Sequence, residues 1–501
     1  MKKPRNVLKN NADYIALFIL NAAGMILELV ASRLMSPYFG NSNFVWTAII
    51  GIILLAGSLG NIIGGKLASR KNPRYWTGLL LLFAAVYIAV TPMIDAPILQ
   101  SIKSGNMGAQ FSSVIGSIVF FLVPATIMGI ITPIIMKERI GEGKDKGKES
   151  GRITAIIAIG SLVGTFMGGF WLIPALGTKM IFALLSITIV PTVLLILPLG
   201  GVKSSKKRCG FIVSLIVTIV VCIASIVVVA NSTKTTNISI DTEYGRIIVE
   251  EGDYDGENVL FYKQSGAYSS ATYLDEERKF DLVFNYLKKY DTMFKFIDAK
   301  QVAMIGGAAY QYPKYFISHF PDKTMDVIEI DPVSTEIARK YFFLDDLVEE
   351  YGEDRLGLYN EDGRLFLADS EKKYDVVLND AFSGEVPVGT LATKEAAKII
   401  KKSLNPNGVY ISNVNGAVAG SKGKFLRAEV KTLLKVFEHV YVIPVYDDAT
   451  EKTFTNWMMI ATDNDQYRPK EAMEVKLTDE DIVLTDDYCP IDSLISTVYY
   501  D

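Results

Sequence analysis

Histidine and cysteine are nearly missing from this chain of 501 residues. It has two histidines, His319 and His439, and three cysteines, Cys209, Cys222 and Cys489. So few imidazoles argue against a zinc centre and against Ser/His or Cys/His nucleophilic catalysis. Three scattered cysteines supply neither a disulfide framework nor a metal-ligand spacing. No metal and no nucleic-acid partner are expected. Charge is also sparse, at 21% of residues against 50% hydrophobic. A globular chain this apolar must segregate its apolar residues.

It does so sharply. Residues 1–235 carry long apolar runs and hold 22 Lys+Arg against 7 Asp+Glu, which leaves 29 against 48 for residues 236–501. A net of +15 is followed by a net of −19 in a chain whose total is −4. Two physically different domains share one polypeptide.

A membrane-spanning helix needs about 20 apolar residues. Seven stretches qualify: 12–35, 43–65, 75–94, 108–136, 153–173, 180–199 and 210–230. The first follows Lys2, Lys3, Arg5 and Lys9, but it is too long for a signal peptide and lacks a small-residue cleavage site. Positive charge clusters at Lys66, Arg70, Lys71 and Arg74, again from Lys137 and Arg139 through Lys144, Lys146, Lys148 and Arg152, and again at Lys203, Lys206, Lys207 and Arg208. The positive-inside rule then makes the N-terminus and these three loops cytoplasmic, and an odd number of spans places residues 236–501 outside. Glu28 and Arg33 are a polar pair within the first span, read either as a substrate or proton site, or as an internal ion pair or an arginine snorkelling near the span end. The stretch "LAGSLGNIIGGKLASR" suits close helix packing. "VGTFMGGF" and "VPATIMGIITP" hold glycine and proline that interrupt helices.

Residues 238–275 alternate in short runs separated by "GDYDGEN", a β-hairpin pattern. Residues 276–297 are expected to be the first helix of this half. From 301, strand and helix alternate. "QVAMIGG", "TMDVIEID", "LGLYNEDG", "YDVVLNDAF" and "GVYISNVN" are strands, with helices at "YQYPKYFISHF", "PVSTEIARKYF", "TKEAAKIIKKSL" and "AEVKTLLKVF", and two further strands at "HVYVIPVY" and "NWMMIATD". That order predicts a doubly wound, Rossmann-like α/β sheet, whose ligands bind beyond the carboxyl ends of the strands. Four features fall there in succession: Gly306-Gly307, Glu329, Asp362-Gly363 and Asp380. Paired glycines let a backbone approach a phosphate or nucleoside, and a carboxylate after the second strand can accept ribose hydroxyls.

With those residues in place, the C-terminal half resembles the spermidine synthases, the polyamine aminopropyltransferases. The whole chain looks like bacterial membrane proteins in which a multi-span domain precedes a spermidine-synthase-like domain. "LELVASRL…FG" and "NDAFSG…VP…LATKEA" carry the closer likeness. The resemblance implies that Glu329 holds ribose, that Asp362 and Gly363 meet adenine, and that Gln264 closes the N-terminal hairpin onto the site. It also implies that Asp380 is catalytic, with Pro387 as its downstream proline. It divides the chain into a multi-span domain (1–235), a hairpin region with the first helix (236–300) and an adenosyl-binding domain (301–501).

The amine side departs from the family. Ala309 stands where the glycine loop has a diamine-binding aspartate, and Ser383 stands where a second acid follows Asp380. Tyr244-Gly245 replaces Tyr-Gln, and Phe280 falls at the gate tyrosine. The implied reaction is aminopropyl transfer from decarboxylated S-adenosylmethionine, as co-substrate, to an amine, releasing methylthioadenosine. No permanently bound cofactor is implied. The expected partners are the lipid bilayer, a small-molecule amine or polyamine, and a second copy in a homodimer. The alternative is a non-catalytic polyamine- or nucleoside-binding sensor or transporter. A methyltransferase shares the sheet type but fits the hairpins and the "DAF…P" stretch less well.

Overall fold

The computed structural model describes residues 5–40, 42–105, 107–140, 145–198, 202, 204–232, 238–384, 386–466 and 468–499. Lys2, Lys3, Lys144 and Lys203, counted above for the charge rule, lie outside the described residues. The chain divides into two compact units, Met1–Thr235 and Thr236–Asp501.

The first unit is helical. Seven helices are long and apolar enough to cross a membrane: Asn11–Phe39, Asn43–Leu67, Pro73–Lys103, Gln110–Ile140, Lys146–Leu172, Thr178–Ile196 and Ser205–Asn231. Small residues set how closely they pack. A Cβ added to Gly60 or Gly64 of the second helix would lie 2.4 or 2.3 Å from the carbonyl oxygens of Thr126 and Ile130 on the fourth. Gly160 and Gly164 press the fifth helix equally hard onto Phe18 and Ala22 of the first. The interruptions anticipated from glycine and proline are single wider turns of π-helix, at Ile118–Leu122 just before Pro124 and at Gly168–Leu172. A proline removes one backbone donor, and a π turn absorbs the misfit without ending the helix.

Glu28 and Arg33 are five residues apart on the first helix, about 140° around it. A charge cluster lies near its start. Arg74 donates to both oxygens of Asp13 at 2.8 and 3.0 Å and to Glu138 at 2.8 Å, while Arg139 also pairs with Asp13. Tyr14 donates to Glu149. A carboxylate shared by two guanidiniums satisfies the requirement that buried charge be paired. Asp13 is 2% exposed.

The second unit begins with a four-stranded antiparallel sheet of β1 (Ile238–Asp241), β2 (Arg246–Tyr254), β3 (Glu257–Gln264) and β4 (Ala267–Tyr273). A seven-stranded sheet follows. Its strands are β5 (Gln301–Ile305), β6 (Thr324–Ile328), β7 (Leu356–Tyr359), β8 (Tyr374–Asn379), β11 (Leu404–Gly416), β12 (His439–Pro444) and β13 (Thr455–Thr462). A small hairpin, β9 (Phe382–Ser383) with β10 (Val386–Pro387), intervenes. The large sheet runs β12-β13-β11-β8-β5-β6-β7, and β11, β8, β5, β6 and β7 are parallel neighbours. Alternate residues of each central strand enter opposite cores. Val302 and Met304 join one with Leu378 and Ile411, whereas Ala303 and Ile305 join the other with Val377 and Tyr410. Burial on both faces is what makes these strands near-continuous apolar runs.

The expected helix over 276–297 is instead a 3-10 helix at Asn285–Thr292 that continues as one α turn at Met293–Phe296. Its buried residues, Leu287, Tyr290, Met293 and Phe296, recur every third position. A three-residue repeat keeps one apolar row on a 3-10 helix and would drift around an α-helix. The last helix of the α/β alternation lies at Lys424–Leu433, four residues earlier than "AEVKTLLKVF".

Gly164→Val should lower the midpoint of thermal unfolding in detergent, since overpacking of this kind costs about 1–3 kcal/mol. Gly65, where an added Cβ meets nothing within 4 Å, should tolerate alanine with an unchanged or slightly higher midpoint. Equal effects at the two sites would mean that the close helix contact is not what Gly164 serves.

Candidate active site

Beyond the carboxyl ends of β5, β6, β7 and β8 the second unit holds a cavity of about 690 Å³. It sits where the strand order reverses between β5 and its two neighbours, β6 and β8, the usual position for a ligand in such sheets. Hydrogen bonds extend the sheet ladder one residue past the strand ends. Gly306 N donates to Ile328 O, Glu329 N to Tyr359 O and Asp380 N to Ile305 O, each at 2.9 Å. The four loops that carry the anticipated residues are thereby tied tip to tip.

Gly306 adopts φ +90°, and a Cβ there would lie 2.7 Å from the Asp380 carbonyl oxygen. Both the backbone angle and the space demand glycine. Gly363 is required by contact alone, since its Cβ would fall 2.4 Å from Ile305 Cγ2.

Glu329 is 6% exposed, and its carboxylate accepts three backbone N–H groups. Oε2 takes Gly307 and Ala308 at 2.8 Å each, and Oε1 takes Asp331 at 3.0 Å. The side chain assigned to ribose is therefore first a clamp on the glycine turn, with Oε1 keeping capacity for one more donor. Burial raises its pKa above the ordinary carboxylate value, and the backbone donors pull it the other way. The turn needs a clamp, because Ala308 and Tyr310 stand at φ +46° and +59°. Non-glycine residues in the left-handed region cost about 1–2 kcal/mol each.

Asp362 caps the helix Gly363–Asp369, its Oδ1 accepting from Arg364 N at 2.9 Å and Leu365 N at 3.0 Å. Gln264, Gly306, Gly307, Glu329, Asp362, Gly363 and Asp380 all line the cavity. Pro387 does not join them directly. It pairs with Phe382 in the small hairpin, and Val388 and Leu391 form the wall beside it.

Asp380 keeps a little accessible surface through the cavity but is otherwise packed in protein. Oδ1 accepts from Asn413 Nδ2 at 2.8 Å, and the Tyr286 hydroxyl approaches Oδ2 at 3.4 Å. Burial raises the Asp380 pKa, against the pull of Asn413, Tyr290 and Tyr286. Burial likewise holds Tyr286 and Tyr290 well above the ordinary tyrosine value, with the nearby Asp380 charge adding to it. Both phenols therefore stay protonated, and the aspartate faces donors rather than competing acceptors.

The amine side is built differently from the expectation. Only Ala308 of the two alanines lines the cavity. Ala309 is fully buried with Ile247, Val249, Tyr262, Ile337 and Phe342, an apolar cluster in which a carboxylate would be unpaired. Phe280 packs edge-on against Tyr351, 5.9 Å between centroids. Tyr286 provides the aromatic wall beside Asp380 instead. Tyr286, Tyr290, Asn413 and Asn456 were not singled out from the sequence. Asn413 had a signal, since "ISNVNG" puts its amide on the β11 face that Val409 and Ile411 start.

Glu329 and Asp380 both have raised pKa values, so the folded chain binds their protons more readily than the unfolded chain does. Stability from these groups is full below the unfolded carboxylate value near 4 and falls as pH rises through the higher folded value. Asp380→Asn, which cannot ionise, should raise the thermal midpoint at pH 7, with the gap closing under acid conditions. A lower midpoint at pH 7 would mean that Asp380 stabilises the fold rather than taxing it.

Residues 283–466 match the family model described as the spermine/spermidine synthase domain. A polyamine aminopropyltransferase 2 from Aquifex aeolicus is 21% identical over 458 residues, covering 89% of this chain and 86% of the relative. A polyamine aminopropyltransferase from Vibrio vulnificus is 26% identical over 176 residues, covering 34% of this chain and 55% of the relative, so the chain spans about half of that protein. Among solved structures, a probable spermidine synthase from Corynebacterium glutamicum is 22% identical with a TM-score of 0.39, covering 46% of this chain and 81% of that one. The C-terminal unit of this chain carries a spermine/spermidine synthase domain, and its relatives include polyamine aminopropyltransferases.

Proposed function

We propose that this protein is a membrane-anchored aminopropyltransferase that moves an aminopropyl group from decarboxylated S-adenosylmethionine to an amine. One observation carries the reading: the cavity that holds the glycine turn, Glu329 and Asp362 also holds Asp380. In this reading Glu329 Oε1 accepts a ribose hydroxyl, Asp362 and Gly363 meet the adenine, and Gln264 borders the chain of the donor. The relatives' names support the transferase class.

The chemistry asks little of the protein. The amine nitrogen attacks the aminopropyl carbon bonded to sulfur. A C–N bond forms, the C–S bond breaks, and neutral methylthioadenosine leaves. An amine is protonated at neutral pH, so its lone pair must first be freed. Asp380 takes that proton, and the cavity holds nucleophile and carbon in line. The seven apolar helices serve as the membrane anchor. The acceptor is an amine or polyamine whose far end meets a wall of neutral side chains, including Asn415 and Ser383.

Purified protein incubated with labelled decarboxylated S-adenosylmethionine and a panel of amines should yield an aminopropylated product by mass spectrometry. Asp380→Asn should lower the rate about 10²–10⁴-fold. Absence of transfer to every amine, together with no calorimetric binding of methylthioadenosine, would leave the binding-protein alternative.

That alternative draws on the charge pattern, which puts residues 236–501 outside, whereas adenosyl sulfoniums are made inside cells. A reporter fused after Asp501 should give a cytoplasmic signal if the transferase reading is right. An external signal favours the binder.

A further inference from the structure

The wall around Asp380 contains no lysine, arginine or histidine among the described residues that line the cavity. Its carboxylates are Glu329, Asp362 and Asp380 itself. The groups facing Asp380 are the Tyr286 and Tyr290 hydroxyls from the 3-10 helix and the Asn413 amide from β11, with Tyr446 near Tyr286. The groups that favour the charged form of this base against its burial are neutral donors alone.

Of these donors Asn413 is at full hydrogen-bond distance, 2.8 Å from Asp380 Oδ1. An amide has one donating end and one accepting end, and only the donating end suits an ionised carboxylate. What selects that end lies on another strand. Asn456 Nδ2, on β13, donates to Asn413 Oδ1 at 3.0 Å. Asn456 is opposite Asn415 in the antiparallel register, so it reaches Asn413 diagonally. With its oxygen engaged, Asn413 has only its NH₂ to turn toward Asp380.

We propose that Asn456 is a positioning residue for the base, acting through Asn413 to keep Asp380 ionised. The proposal rests on Asp380 being the base of the transfer. Without the Asn456 donor, the Asn413 amide is free to rotate and offer its oxygen to Asp380. An oxygen there is satisfied only by a protonated carboxyl group, which cannot accept the amine's proton.

The test uses the full chain in detergent: wild type, Asn456→Leu, which is similar in size and lacks a donor, and Asn456→Gln, which keeps one. Two readouts are followed against pH. One is kcat and KM for aminopropyl transfer. The other is the protonated-carboxyl infrared band that Asp380→Asn abolishes, which needs no turnover. Asn456→Leu should move the infrared midpoint and the acid limb of kcat upward by about one to two pH units, the worth of one hydrogen bond to a charged group. Its rate should recover at alkaline pH, methylthioadenosine affinity should be unchanged, and Asn456→Gln should restore most of the shift. An Asn456→Leu midpoint coincident with wild type overturns the proposal. So does a kcat lowered equally at every pH. An infrared shift in a protein that transfers to no amine would uphold the Asn456 link and defeat the transferase reading instead.

Discussion

A single carboxylate organises the glycine-turn end of this site. Glu329 takes N–H groups from Gly307, Ala308 and Asp331, so one side chain closes the glycine turn and fixes the start of the following helix. The turn contains two non-glycine residues in left-handed backbone, which a free loop would abandon. Because Gly306 also bonds to Ile328 and Asp380 to Ile305, the position of the acid after β8 inherits the geometry set at Glu329. The cavity is in this sense a product of sheet-tip hydrogen bonding more than of side-chain packing.

Much of this was legible along the chain. Gly306, Glu329, Asp362 and Asp380 stand out because each ends an apolar run, and a parallel sheet brings successive run-ends to one edge. The alternation of strand and helix was readable for the same reason, since buried parallel strands are almost unbroken apolar stretches. What stayed hidden depended on contacts distant in sequence. Asn413 and Asn456 meet only because β13 returns antiparallel beside β11. Tyr286 reaches Asp380 from a 3-10 helix whose threefold spacing resembles a poor α-helix. The resemblance sets Ala309 at the diamine-binding position, but a sequence does not show which way a loop side chain points. Two left-handed residues on either side of it turn the side chain into the apolar cluster instead.

The first unit follows a different logic. Helices this apolar would gain little drive to meet one another in lipid, so shape would decide. Glycines at positions 60, 64, 160 and 164 let backbones touch. The buried Asp13 is shared by Arg74 and Arg139.

The strained turn has a consequence for how this sequence can change over time. Ala308 and Tyr310 are tolerated only while Glu329 holds the backbone beneath them. A lineage that lost the glutamate first would pass through a chain with a misfolded loop and no pocket. One that first acquired glycine at 308 would cross more easily, whereas glycine at 310 would also empty the space of a fully buried tyrosine. The order of substitutions is therefore constrained, and descendants that keep alanine and tyrosine here are bound to keep the acid as well.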